Sequence, residues 1–349
     1  MRKSWRTFIW LSLAFLALGL YAFNVSRGQA LDFRQALHHL KWEWAIWAVI
    51  LQLMAQTLLA SRWIILLRVQ GVELGLYQAI KLTYLGLFYN NMMPGAVGGD
   101  LLKGWYVTQH SPPNLRVEAA VTVFVDRLAG LIGIVLVGAC ASLFIGPELN
   151  YRGFQIRWVG WLIFAAMVVV SVIFLSRRVR RVLQISRLMD KLPFANLLRQ
   201  VDSAIRIYRH HHGTILLALL LTAVIQGASI VAIWFLTKML NLHLVTLLQC
   251  LSIMPIIWVI SAAIPVPGGL GVVENLVTYL YCKAINPNDP DAAMGQAAAL
   301  ALTIRMLICL CSLPGALVPI FGGHLPKTAE IAREMEKETL EEQQELPPV

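Results

Sequence analysis

"NNMMPGAVGGD", residues 90–100, breaks an apolar stretch with two asparagines, a proline, three glycines and an aspartate. A second break, "IPVPGGLGVVEN", covers residues 264–275. Around them the 349-residue chain is 58% hydrophobic and only 14% charged, with a mean hydropathy of +0.66. Soluble domains carry about 25% charged residues, so composition places this chain in a bilayer. Backbone in hydrocarbon must satisfy its own hydrogen bonds, and a non-helical turn there must be buried in protein or line a polar cavity. How these two breaks are accommodated therefore decides the layout of the chain.

A transmembrane helix needs about 20 apolar residues. Full-length candidates lie at about 7–23, 43–67, 117–146, 156–175, 214–240 and 291–322. The first, in "MRKSWRTFIWLSLAFLALGLYAF", has the charged start of a signal peptide but a long apolar run without a small-residue cleavage site, so it reads as a retained helix. The intervals 76–109 and 244–285 each hold one break near the middle and read as two half-length helices around a Gly/Pro turn. Charge sets the sidedness. Residues 176–212 hold nine Lys/Arg against two Asp, and Arg2, Lys3 and Arg6 precede the first span. Both segments belong on the cytoplasmic side, which requires 76–109 to enter and leave by one face. The same count brings 244–285 in from the opposite face and leaves both termini cytoplasmic, in a cytoplasmic (plasma) membrane.

The expected fold is thus an all-α integral membrane protein, with about six full spans plus two re-entrant helical hairpins in an inverted repeat. The membrane domain covers 1–322, with repeat halves at about 43–146 and 214–322. The basic connector 176–212 is cytoplasmic, and 323–349 forms an acidic cytoplasmic tail, solvated and partly disordered. Within the connector, 194–208 is amphipathic and suits an anionic membrane surface, with a regulatory or partner site as the alternative. Trp42, Trp44 and Trp47 read as interfacial anchors. The basic excess is explained by loop retention, so no nucleic acid is expected. His210, His211 and His212 are adjacent and do not share a helix face, and the five cysteines lack zinc-ligand spacing, so neither a metal nor any other cofactor is expected.

The two halves echo one another. Pro94 and Pro265 are 171 residues apart; a glycine pair follows each (Gly98-Gly99 and Gly268-Gly269), then an acid (Asp100 and Glu274). Each hairpin precedes a span carrying an arginine, Arg127 in "VFVDRLAGLIG" and Arg305 in "LALTIRMLICL". Transporters built as inverted repeats bind substrate where the halves meet. Asp100 is a good N-cap residue, and a half-helix starting there would aim its positive end inward, a geometry that binds phosphate. A buried arginine costs about 2.5–3.5 kcal/mol on insertion scales and needs a partner or a wet cavity. Asp100 and Asp126 are the candidate partners of Arg127, and Glu274 that of Arg305. The pairs either fix the hairpins or reach a phosphate from both halves through bidentate guanidinium contacts. The glycines either serve that site or let helices pack closely. Asn90 and Asn91 add donors and acceptors at the hairpin tip, while Lys81 and Lys103 are explained by snorkelling. The glycines of "AGLIGIVLVG" pack helices within or between chains.

"NNMMPGAVGGDLLKGW", "FVDRLAGLIG" and "IPVPGGLGVVEN", in that order, resemble the membrane domain of lysylphosphatidylglycerol synthases, also called the flippase-like or UPF0104 family. The resemblance spans roughly residues 5–322. In two-domain members this membrane part moves aminoacylated phosphatidylglycerol between leaflets, and a C-terminal cytosolic domain makes it; stand-alone members are associated with other lipids, including polyprenyl-phosphate-linked sugars. Because the chain stops at Val349, the synthase domain and its activity are expected to be absent. The resemblance implies that Asn91, Pro94, Gly98, Gly99, Asp100, Arg127, Pro267, Gly268, Gly269, Gly271, Glu274 and Arg305 line a lipid-headgroup cavity.

The leading expectation is a flippase for a phosphate-bearing lipid, either an aminoacyl-phospholipid or a polyprenyl-phosphate-linked sugar. No Walker motif is present, so the driving force would be a gradient, consumption of the lipid on one side, or proton coupling through Asp100 or Glu274. An integral membrane transferase is the second class, although no nucleophile with a base, metal cluster or sugar-nucleotide acid pair accompanies the carboxylates. The third is a non-transporting subunit that serves a glycosyltransferase or lipid-synthase partner through the tail or the 194–208 helix.

Overall fold

A computed structural model describes residues 40–92, 98–109, 111–112, 115–142, 211–264, 269–286 and 288–321, with short pieces at 150–151, 154–155, 161–162, 165 and 207–208. The expected span 7–23, nearly all of 156–175, the tail, and most of the connector lie outside these residues.

Eight α-helices are seen among the described residues, in two matching sets. The first set is α1 (Trp42–Val69), α2 (Leu76–Met92), α3 (Gly98–Gln109) and α4 (Arg116–Ser142). The second is α5 (His212–Met239), α6 (Leu247–Ala263), α7 (Val272–Ile285) and α8 (Met294–Phe321). Their lengths run 28, 17, 12 and 27 residues in one set and 28, 17, 14 and 28 in the other. At 1.5 Å per residue the long helices reach about 42 Å and the 17-residue ones about 25 Å, so only the former exceed the hydrocarbon core of about 30 Å. Four helices are long and apolar enough to cross a membrane, one at each expected span that falls within the described residues. A short β ladder pairs β1 (Asn150–Tyr151) with β2 (Phe154–Gln155), a small departure from the all-α expectation.

The long helices end by the same device. After α1, the Val72 N–H bonds the Leu67 carbonyl and the Gly71 N–H that of Arg68, with Gly71 at φ +73°. After α5, Leu242 bonds Thr237 and Asn241 bonds Lys238, with Asn241 at φ +58°. Both are Schellman closures, which need a left-handed residue just past the helix; glycine and asparagine tolerate it best. Gly71 and Asn241 are 170 residues apart, as are the starts of α1 and α5.

Packing repeats as well. Helix α1 touches α2 and α4, α2 touches α3, and α3 touches α4; the same set of contacts joins α5 to α6 and α8, α6 to α7, and α7 to α8. Across the halves, α2 meets α8 and α6 meets α4. Glycine closes both crossings: a Cβ on Gly315 would strike the backbone of Tyr84, and one on Gly138 would strike Pro255. Since Tyr84 and Pro255 are 171 residues apart, the two contacts are images of one another. The glycines of α4 thus pack helices within the chain.

Helices α1 and α5 form the seam, and they run antiparallel. At one end the Lys41 N–H bonds the Met239 carbonyl at 3.1 Å; at the other, Leu66 packs with Ala218 and Tyr208. Both ends of each helical hairpin share one end of the bundle. Leu67, Val72, Ala79, Val107 and Ala119 lie in one apolar cluster. Leu240, Val245, Cys282, Ile285 and Ala293 lie in another, together with Ala48 near the start of α1.

Trp44 stacks at 5.3 Å on Phe235 and belongs to the packing, while Trp42 and Trp47 are exposed as expected of anchors. The connector's last described turn is tied down: Tyr208 donates to the Leu66 carbonyl at 3.0 Å. Burial pushes its phenol well above the usual range, so it stays a donor at physiological pH.

Candidate functional site

Both breaks sit where a half-length helix begins. Helix α3 starts at Gly98, two residues before Asp100, because Asn90 supplies the capping contact: its Oδ1 accepts from the Gly99 N–H at 2.8 Å. Asp100 therefore lies in the first turn rather than at the cap, and its carboxylate is free to pair with Arg127 Nε. Gly99 is needed for space. A Cβ there would overlap the backbone of Gly86, so α2 and α3 touch main chain to main chain. At this position close packing is the role that the structure assigns to the glycine.

In the second half a single acid does both jobs. Glu274 Oε2 accepts from the Gly271 N–H at 2.7 Å, and Oε1 accepts from Arg305 Nε. Gly271 has φ +79°, a left-handed conformation that lets the chain turn into α7. Asp100 with Arg127 and Glu274 with Arg305 are repeat-related pairs in unlike surroundings. Arg305 and Glu274 are sealed, with side chains 4% and 2% exposed. Arg127 is 53% exposed and Asp100 16%. The second pair is thus desolvated and the first opens outward.

Asp126, weighed above as a partner for Arg127, is taken by a residue that sequence reasoning passed over. Arg62 of α1 donates from Nε to Asp126 Oδ1 at 2.8 Å, from Nη2 to the Asp126 carbonyl at 2.9 Å and from Nη1 to Thr222 of α5 at 2.8 Å. It is buried and ties α1, α4 and α5 together. Gly130 of α4 leaves room for the guanidinium, and Gly133 lies against Thr222. The signal was present in "LLASRWIILL": an arginine between apolar residues, overlooked because it stands near a span's end.

Lys103 corrects a second expectation. It does not snorkel; it is 6% exposed, with its ammonium 5.1 Å from the centre of the Trp63 ring and its stem across Gly86. A mid-bundle glycine allows the lysine to fold inward. Among the remaining site candidates, Asn91 is half-buried beside Asn90, and Gly269 (φ +66°) turns against Ser261. Pro94, Pro267 and Gly268 lie outside the described residues. Among the described residues no three His, Cys, Asp or Glu side chains come together in a way that could hold a metal.

Four long apolar helices, two half-length hairpins and charged pairs within the bundle define a multi-pass α-helical membrane protein. The chain belongs to the family described as the lysylphosphatidylglycerol synthase transmembrane region, whose profile matches residues 9–315. It is similar to a UPF0104 membrane protein of Methanocaldococcus jannaschii, 21% identical over 269 residues, covering 72% of this chain and 78% of that one. A UPF0104 membrane protein of Pyrococcus horikoshii is 22% identical over 283 residues, covering 76% of this chain and 81% of the relative.

Proposed function

We propose that the chain moves a phosphate-bearing lipid between membrane leaflets, passing the headgroup between its two helical hairpins while the tails stay in the bilayer. The observation that carries this reading is the unequal state of two equivalent ion pairs. One hairpin's acid–arginine pair is sealed and the other's is open, as expected of a two-fold transporter caught with one half closed. Exchange of the two states would expose the site to each leaflet in turn. Family membership supports a lipid-related role. The headgroup contacts are Asn90, Asn91, Asp100, Arg127, Glu274 and Arg305, with the glycine and proline positions of both breaks shaping the turn.

In this reading the hairpins α2–α3 and α6–α7 are re-entrant from opposite faces, two further spans complete six, and both termini face the cytoplasm of a plasma-membrane protein. The protein acts as a transporter without chemistry of its own, alongside an enzyme that makes or consumes the lipid. The test is reconstitution in liposomes bearing a fluorescent phospholipid, with dithionite bleaching to follow leaflet exchange. Exchange is expected to be fast with the natural protein and slowed at least tenfold by Arg127→Ala. Exchange at the rate of empty liposomes, with several headgroups and with polyprenyl-phosphate lipids, would leave a non-transporting subunit as the better reading.

A further inference from the structure

The first hairpin's charges do not balance. The charged groups whose fields reach Lys103 are Asp100, Asp126, Arg62 and Arg127. Asp100 pairs with Arg127 and Asp126 with Arg62. That leaves three cations against two carboxylates, with Lys103 as the surplus. Among the described residues Lys103 has no carboxylate partner; its ammonium rests on the Trp63 ring, although the side chain is more than nine-tenths buried. The second hairpin has no such surplus, since Glu274 and Arg305 cancel.

An uncompensated charge inside a bundle is costly, and the cheapest remedy is a bound counter-charge. Lys103 follows Asp100 by three residues, which puts both on one face of α3. The open Arg127–Asp100 pair forms the rim of that face, and the positive end of the 12-residue α3 lies about one turn from Lys103. Cation, helix end and exposed guanidinium converge on one place. A single negative charge would neutralise the cluster. A phosphodiester carries one, whereas a phosphate monoester carries about 1.5–2 at pH 7.

We infer that Lys103 and Arg127 form an anion site in the first half alone, built for a singly charged lipid phosphodiester, and that the balanced second pair is a lock rather than a second phosphate site. This deepens the transport reading and rests on it for the lipid's identity, but its test is separate. The full-length protein in detergent would be titrated with dioctanoyl phosphatidylglycerol by calorimetry. Saturable binding is expected. Lys103→Met should weaken it about 10- to 100-fold, the range for a lost charged hydrogen bond, without lowering the melting temperature of the lipid-free protein. Lys103→Arg should restore it, and Lys81→Met should leave it unchanged. Dioctanoyl phosphatidic acid should bind no tighter, and tail-less glycerophosphoglycerol should not bind.

Unchanged binding by Lys103→Met overturns the inference. So does much tighter binding of phosphatidic acid, or equal binding of the tail-less compound, which would mark a soluble anion as the ligand. If the expected binding pattern appears but no lipid crosses liposomes, the transport reading falls and the anion site stands. If lipid crosses but binding ignores Lys103, the reverse holds.

Discussion

Removing an acid should have different consequences in the two halves. Glu274→Gln strands Arg305 where water does not reach, and breaking a buried pair costs about 3–5 kcal/mol. Asp100→Asn frees an arginine that is already half in contact with its surroundings, and exposed pairs contribute about 0–1 kcal/mol. Thermal unfolding in detergent should therefore separate the two variants clearly, and Glu274→Gln combined with Arg305→Gln should recover most of the loss. Equal melting temperatures for Glu274→Gln and Asp100→Asn would contradict the sealed environment of the second pair. Arg62→Lys should also be costly, because a lysine ammonium cannot hold the Asp126 carboxylate, its carbonyl and Thr222 in one planar fork. The four paired residues of the hairpins were legible because charge stands out in an apolar run. Arg62 and Lys103 were not, because a charge near a helix end reads equally well as one that reaches outward. Only the neighbours — Asp126 for one, Trp63 for the other — reveal that each side chain turns in.

The hairpins make their own demands on the elements. Gly99→Ala should push α3 off α2, since a methyl there meets the Gly86 backbone, and overpacking costs about 1–3 kcal/mol. Gly104→Ala, five residues along the same helix, meets nothing within 4 Å and should be neutral or slightly stabilising. The pair can be compared by melting in detergent, and a Gly99→Ala protein as stable as Gly104→Ala would rule out the main-chain contact. Both broken hairpins could be read from glycine, proline and acid at matched spacing. Their caps could not. Asp100 has the right chemistry for an N-cap, yet Asn90, ten residues back on the preceding helix, takes that place because the two helices touch there. Long-range contacts of this kind leave no local pattern. The Schellman closures were visible only in part: "QGV" announces a stop, whereas "LNL" does so only once Asn241 is known to be left-handed.

At the scale of the whole molecule, the loops sort into two groups. Residues 70–75 and 111–115 lie by one apolar cluster, and 240–246 and 286–293 by the other. Single cysteines replacing exposed Glu73 and exposed His243, in a chain otherwise lacking cysteine, should therefore react with a membrane-impermeant maleimide from opposite sides of the membrane. Labelling of both from one side would end the re-entrant reading. The repeat itself was legible as an order of motifs; that its two halves share matched contacts was not, because no residue type marks a helix crossing. One further consequence follows from the antiparallel seam of α1 and α5. Each half meets its own image there, as two separate copies of a half-length chain would if inserted in opposite senses. The fold is an antiparallel dimer written into a single chain, and its probable inheritance by duplication becomes testable as self-association: halves expressed as two polypeptides should find each other in the bilayer and rebuild the seam.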